Sequence, residues 1–105
     1  MKRGQIRLVR FKEPDKPRPA LILTRTEAIE QLNTVTIIPI TSSIRDLRSQ
    51  VHLDEADGLK YPCALNVDNI ITVRFGQVGA HVSQLSDERM GEVFDAIKFA
   101  FGFDK

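Results

Sequence analysis

A single cysteine, Cys63, occurs in the 105 residues, which excludes an internal disulfide framework and any multi-cysteine zinc site. It falls within an apolar strand pattern, where a thiol acts as core filler. Only two histidines are present, His52 and His81, and neither belongs to a His-Glu-x-x-His spacing. Both occupy polar positions of strand patterns and are expected to face solvent. Phosphate-cradling glycine loops are missing. No apolar run approaches membrane-spanning length, and the N-terminus has no signal-type apolar region, so a cytosolic protein is expected. Linkers, repeats and low-complexity tracts are lacking too, which leaves one small domain over residues 1–105. At 42% hydrophobic residues it can bury a core of modest size, and pairing with a second copy would help it.

Net charge is also scarce, at +1, but it is unevenly spread. Residues 1–25 carry eight Lys/Arg against Glu13 and Asp15, a balance of +6, whereas the other eighty residues sum to −5. A basic face on a near-neutral protein suits a polyanion partner, though a solvated face offset by acidic loops has the same composition.

What is present centres on Lys16-Pro17-Arg18-Pro19-Ala20-Leu21-Ile22-Leu23-Thr24. Each proline fixes its own φ and pushes the preceding residue toward an extended conformation, so Arg18 has little backbone freedom left to lose. The apolar run that follows reads as a strand buried on both faces, from about Pro19 to Arg25. An earlier strand spans Gln5 to Phe11, with a register shift between Leu8 and Val9 that suits a bulge. Glu27 to Asn33 is either one helical turn or a wide loop. Thr34 to Ile40 is β-branched and alternating, with Pro39 expected at an edge or bulge because it lacks a ladder donor. Thr41 to Gln50 is a polar loop bearing Arg45 and Arg48.

Further short strands follow at Val51–Leu53, Cys63–Val67, Ile70–Val73 and Val78–Val82, with a turn at Asp54–Gly58. Ser86 is an N-cap, Asp87 and Glu88 match the helix dipole, and Leu85 with Met90 forms a hydrophobic staple. Met90, Val93, Phe94, Ile97, Ala100 and Phe101 make one apolar stripe ended by Gly102. The fold expected is mainly β, a small and strongly curved barrel-like sheet capped by a C-terminal helix.

The Arg18-Pro19-Ala20 opening of one strand and the Pro39-Ile40-Thr41-Ser42 ending of another resemble the MazF/PemK (Kid) family of toxin endoribonucleases. Arg3-Gly4-Gln5-Ile6, Asp57-Gly58-Leu59, Val67-Asp68-Asn69 and the final helix extend the likeness along nearly the whole chain. The resemblance implies an SH3-like barrel that pairs into a homodimer, and a metal-independent endoribonuclease that needs no cofactor. It also implies single-stranded RNA as substrate and a cognate, small, acidic MazE-like antitoxin as partner. It places Arg18 and Thr41 at the active site and aligns Asp68 with an acidic position of the family pattern.

The residue types fit that chemistry. RNA carries its own nucleophile, the 2′-hydroxyl, so the protein must accept one proton, stabilise the phosphorane oxygens and assist the leaving 5′-oxygen. Arg18 offers a planar fork for two phosphate oxygens, and Thr41 and Ser42 offer hydroxyls, although hydroxyls at a strand end also serve as ordinary turn formers. Asp68 could take the 2′-proton or bridge to a nearby arginine. Lys16, Ser42, Ser43, Arg45, Arg48 and Asn69 are the candidate RNA contacts. The chain departs from the family pattern where Asn69 replaces the usual Gln and Ile71 an arginine. It also has a shorter loop at Lys12–Pro17, so a reduced lid is expected. Two other readings stay open at this level: a CcdB-like gyrase inhibitor without enzymatic activity, and a weakened relative that only binds RNA.

Overall fold

The computed structural model describes residues 1–12 and 16–104, so Glu13, Pro14 and Asp15, the middle of the short Lys12–Pro17 loop where a reduced lid is expected, lie outside the described residues. The strands are β1 (Gln5–Val9), β2 (Arg18–Ile22), β3 (Thr34–Thr41), β4 (Gln50–Leu53), β5 (Cys63–Asn66), β6 (Ile71–Arg74) and β7 (Val78–Gln84). They form one antiparallel sheet in the order β4-β5-β3-β2-β1-β7, with β6 also paired to β3. Two helices accompany it, the single turn α1 (Thr26–Ile29) and the long α2 (Asp87–Phe101).

β2 and β3 hold the centre because both are apolar on both faces. Ala20, Leu21 and Ile22 are completely buried, as are Val35, Ile37 and Ile38. Alternation sends Leu21 and Ile38 into a core beneath α2, with Ile6, Leu65, Val67 and Val93. Ala20, Ile22, Val35 and Ile37 point the other way, into a second core closed by Ile29 of α1. Burial of each such Leu or Ile contributes about 1.5–3 kcal/mol. The ambiguous segment after β2 is thus a helical turn, because Ile29 has a core to enter.

β3 gives the sheet its curvature. One edge pairs with β2, while the other pairs with β6 over Thr34–Ile37 and then with β5 over Ile40–Thr41. A strand that changes partner along one edge must bend there. Pro39 sits at this change. The Thr36 carbonyl accepts from Leu23 N–H and so faces β2. Three residues on, alternation turns the ring nitrogen of Pro39 to the opposite edge, into the gap between β6 and β5, where no ladder donor is required. The expected β1 irregularity also appears, as register shifts against β7 on both sides of Arg7. Gly4 at φ 93° enters β1 where a Cβ would meet Gln84 Nε2 at 2.5 Å, a place only glycine fits.

Helix α2 begins as expected, with Ser86 Oγ accepting from Arg89 N–H at 3.1 Å, and ends at Gly102 with φ 76°. The apolar stripe is narrower than its sequence suggested. Met90, Val93 and Ala96 are buried and Ile97 and Ala100 half-buried, but Phe94 and Phe101 are 38% and 51% exposed. The helix packs through the small Ala96, which rotates both aromatics onto its flank. Arg89 clamps α2 to the turn after β4 through a two-pronged pair with Asp57, at 3.0 and 3.1 Å.

Candidate active site and nucleic-acid interface

The site begins where β2 begins. Arg18 is the first residue of β2, is exposed, and pairs across β1 with Val9. Its guanidinium makes no hydrogen bond or ion pair among the described residues, so its donors are open to a ligand. The β2–β3 register runs Ile22↔Ile37, Leu21↔Ile38, Ala20↔Pro39. The pairing ends there, and Arg18, the first residue of β2, and Thr41, the last of β3, lie two residues beyond it at the same end of the two strands. The two residues singled out for phosphate chemistry therefore share one end of the sheet.

Thr41 is half-buried, and its Oγ1 accepts from the Ser43 N–H at 3.0 Å. That bond uses the hydroxyl as an acceptor and leaves its own proton free to be donated. A fork of N–H groups from Arg18 and one O–H from Thr41 thus face the same end of the sheet, a donor set suited to a phosphate. Lys16, two residues before Arg18, is exposed and unpaired among the described residues.

Ser42, Ser43 and Arg45 continue from Thr41 along an exposed loop. The Arg45 side chain makes no ion pair among the described residues, but its backbone is held at both ends. Its N–H donates to Gln50 Oε1 at 2.8 Å, and its carbonyl accepts from His52 Nε2 at 2.9 Å. Arg48 behaves differently. Its guanidinium lies 4.1 Å from the centre of the Phe99 ring and 3.8 Å from Asp104, turned toward the end of α2 rather than toward Thr41. The aromatic that holds it is about fifty residues away in the chain, too far for local reading to find.

Asp68 and Asn69 occupy the 3-10 turn Val67–Asn69 between β5 and β6, anchored by buried Val67. Both are exposed, and neither makes a hydrogen bond or ion pair among the described residues, so Asp68 does not bridge to an arginine. With Thr41↔Ala64 and Ile37↔Ile71 as flanking pairs, the turn stands beside the middle of β3, on the edge away from β2. By those two registers the turn falls opposite residues 37–40 of β3, one to four residues back from Thr41. Ile71, at the start of β6, is exposed beside this turn.

Two other cations of the basic N-terminal segment are tied into the framework. Arg3 Nε donates to the Leu23 carbonyl at 2.8 Å, and Arg7 Nε to the Gly79 carbonyl at 2.9 Å. Both histidines are exposed, as expected. Cys63 is buried beside β4, and burial, followed by the nearby carboxylates of Asp57 and Asp54, pushes its thiol pKa up. It is a packing residue. Among the described residues no three His, Cys, Asp or Glu side chains group closely enough to hold a metal ion. Sequence reading missed Gln50 and His52, because a glutamine opening a short strand carries no signal of what it will touch.

Comparison with known proteins places the chain in a family. Residues 2–101 match the family described as PemK-like, MazF-like toxin of type II toxin-antitoxin system. The chain is 33% identical over 99 residues to Endoribonuclease MazF3 of Mycobacterium tuberculosis, covering 94% of this chain and 96% of that protein. The solved Mycobacterium tuberculosis toxin MazF-mt6 superposes with a TM-score of 0.88 at 33% identity, covering 96% of this chain and 99% of that one. An endoribonuclease solved in complex with its cognate antitoxin, from a mycobacterial species, has the same fold at a TM-score of 0.88 and 21% identity, covering 100% of this chain and 98% of that one. Matched over nearly its whole length, the chain belongs to the PemK-like, MazF-like family of type II toxin–antitoxin toxins.

Proposed function

We propose that this chain is a cytoplasmic endoribonuclease toxin that cuts single-stranded RNA without a metal ion, works as a homodimer and is held inactive by an acidic MazE-like antitoxin. The observation that supports the reading is that Arg18 and Thr41 end neighbouring antiparallel strands at the same end of the sheet with their donors unoccupied. The 2′-oxygen attacks the adjacent phosphorus, the bond from phosphorus to the 5′-oxygen breaks, and the proton lost from the 2′-hydroxyl is balanced by one gained at the leaving 5′-oxygen. The Arg18 fork and the Thr41 hydroxyl hydrogen-bond the non-bridging oxygens, where charge grows in the phosphorane. Guanidinium does not give up its proton in proteins, so Arg18 acts electrostatically.

Asp68, an unpaired carboxylate, is the candidate acceptor for the 2′-proton. RNA reaching both it and Arg18 crosses β3, with Lys16, Ser42, Ser43, Arg45 and Asn69 along the track, and a symmetric dimer would extend that track over two subunits. Arg48, turned to Phe99, contributes charge at its margin. The curated relatives that match are named endoribonucleases, which favours cleavage over gyrase inhibition or simple RNA binding.

The test is purified protein with a long RNA in excess chelator, followed by end-group analysis. Fragments with 2′,3′-cyclic phosphate and 5′-hydroxyl ends are expected. Fragments with 5′-phosphate ends, or cutting only after magnesium is restored, would overturn the mechanism. Sedimentation at micromolar concentration tests the dimer, and a stable monomer would count against it.

A further inference from the structure

We propose that Gln50 is a positioning residue for the RNA site: its buried carboxamide sets the backbone of Ser43–Arg45, the segment that continues from Thr41. This rests on the reading above, in which that segment contacts RNA.

Among the described residues only two polar residues are buried as a whole, Ser49 at 5% and Gln50 at 9% exposure. A carboxamide taken from water must recover its hydrogen bonds, and Gln50 recovers them from one place. Its Oε1 accepts from Arg45 N–H at 2.8 Å, and its Nε2 donates to the Ser43 carbonyl at 3.2 Å. His52, two residues on and exposed, adds Nε2 to the Arg45 carbonyl at 2.9 Å. Gln50 N–H donates to the Leu47 carbonyl at 3.0 Å, closing the loop onto its own strand.

Besides these bonds the loop is held by the Ser43 N–H on Thr41 Oγ1 at its start and by Arg48 on Phe99 at its end, with no apolar anchor between. Residues 42–48 are all exposed, and its apolar members Ile44 and Leu47 are 43% and 40% exposed, so they do not anchor it in the core. A polar loop without apolar anchors samples many conformations unless specific bonds select one. The same hub reaches the other side of the RNA track. Ser49 O accepts from Val67 N–H at 3.1 Å, and Gln50 pairs with Asn66 in the β4–β5 ladder, at the root of the turn bearing Asp68 and Asn69. A leucine at this position would serve the β4 packing equally well. What glutamine adds is directed at the Ser43–Arg45 backbone alone.

If the bonds select the RNA-competent loop, removing them lowers the competent fraction and weakens apparent RNA affinity in proportion. The experiment measures kcat and KM on an RNA oligonucleotide for wild type, Gln50→Leu, Gln50→Glu and His52→Phe, each below its own melting transition. Gln50→Leu keeps the shape and loses both side-chain bonds. Gln50→Glu keeps the acceptor for Arg45 N–H and loses the donor to Ser43. KM should rise about tenfold in Gln50→Leu and less in the other two, with kcat within about threefold, since Arg18 and Thr41 are untouched.

A role confined to stability would lower the melting temperature and leave KM alone, so a folded Gln50→Leu with KM within about twofold of wild type overturns the proposal. If Gln50→Leu does not fold, the same criterion applies to Gln50→Glu and His52→Phe. Wild-type protein that cuts no RNA overturns the endoribonuclease reading and this role together, whereas active wild type with unchanged variants overturns this role alone.

Discussion

Replacing Arg18 by lysine separates charge from geometry at the centre of the site. Arg18 is exposed, has no partner among the described residues, and contributes to the fold only through its backbone pairing with Val9, which lysine retains. The stability change should therefore stay within about 0.5 kcal/mol, or about 2–4 °C in melting temperature for a domain of this size. RNA affinity should fall only about two- to threefold, because one phosphate contact among many is weakened while the charge remains. The rate should respond differently. A guanidinium presents two parallel N–H bonds in a fixed fork, whereas an ammonium on a flexible stem reproduces its charge without its preorganisation. Loss of one preorganised donor of this kind costs about 10²–10³-fold in rate. The assay is single-turnover cleavage at saturating protein, with a thermal melt and a binding isotherm on the same sample. Thr41→Val extends it: if both side chains hold one phosphate, the double variant should lose less than the product of the single losses. A folded Arg18→Lys protein that cuts at the wild-type rate would remove Arg18 from the site, and the argument for the Arg18–Thr41 end with it.

Three further outcomes follow from particular contacts. Asp68→Asn should slow single-turnover cleavage at neutral pH by about 10²-fold or more with RNA binding nearly unchanged, and wild-type rates would exclude Asp68 as the proton acceptor. Arg89→Leu leaves the Asp57 carboxylate, whose side chain is 8% exposed, with only the Asp54 N–H as partner, and should cost about 1–3 kcal/mol, read as a melting temperature lowered by more than about 4 °C. A shift of only a degree or two would show the pair to be dispensable. Cys63, whose thiol pKa is raised by burial, keeps its proton in the folded state after the unfolded chain has lost it, so its contribution is complete below the ordinary thiol pKa and is lost as pH rises through the folded value. Denaturant midpoints should therefore fall from pH 8 to 10 more steeply in wild type than in Cys63→Ala, and parallel curves would refute the shift.

How much of this was legible in the chain depended on the range of the forces involved. Pro17 and Pro19 extend Arg18 by sterics that reach one residue, and Ser86, Asp87, Glu88 and Gly102 delimit α2 by bonds that reach four. Such signals stand in the residues themselves, so β2, α2 and the mainly β architecture were readable in advance. The four-residue apolar block Ala20–Leu23, with no polar alternation, also marked a strand covered on both sides. Which side chains meet across strands is a different matter, because register is settled by the whole sheet at once. Only the tertiary structure placed Pro39 at the switch from β6 to β5, turned Arg48 onto Phe99, and rotated Phe94 and Phe101 out of the core. Only it set Asp68 along β3 from Thr41 and folded the Ser43–Arg45 backbone onto Gln50. The identity of the reactive groups was local information. Their distances came from long-range pairing, which a linear chain does not display.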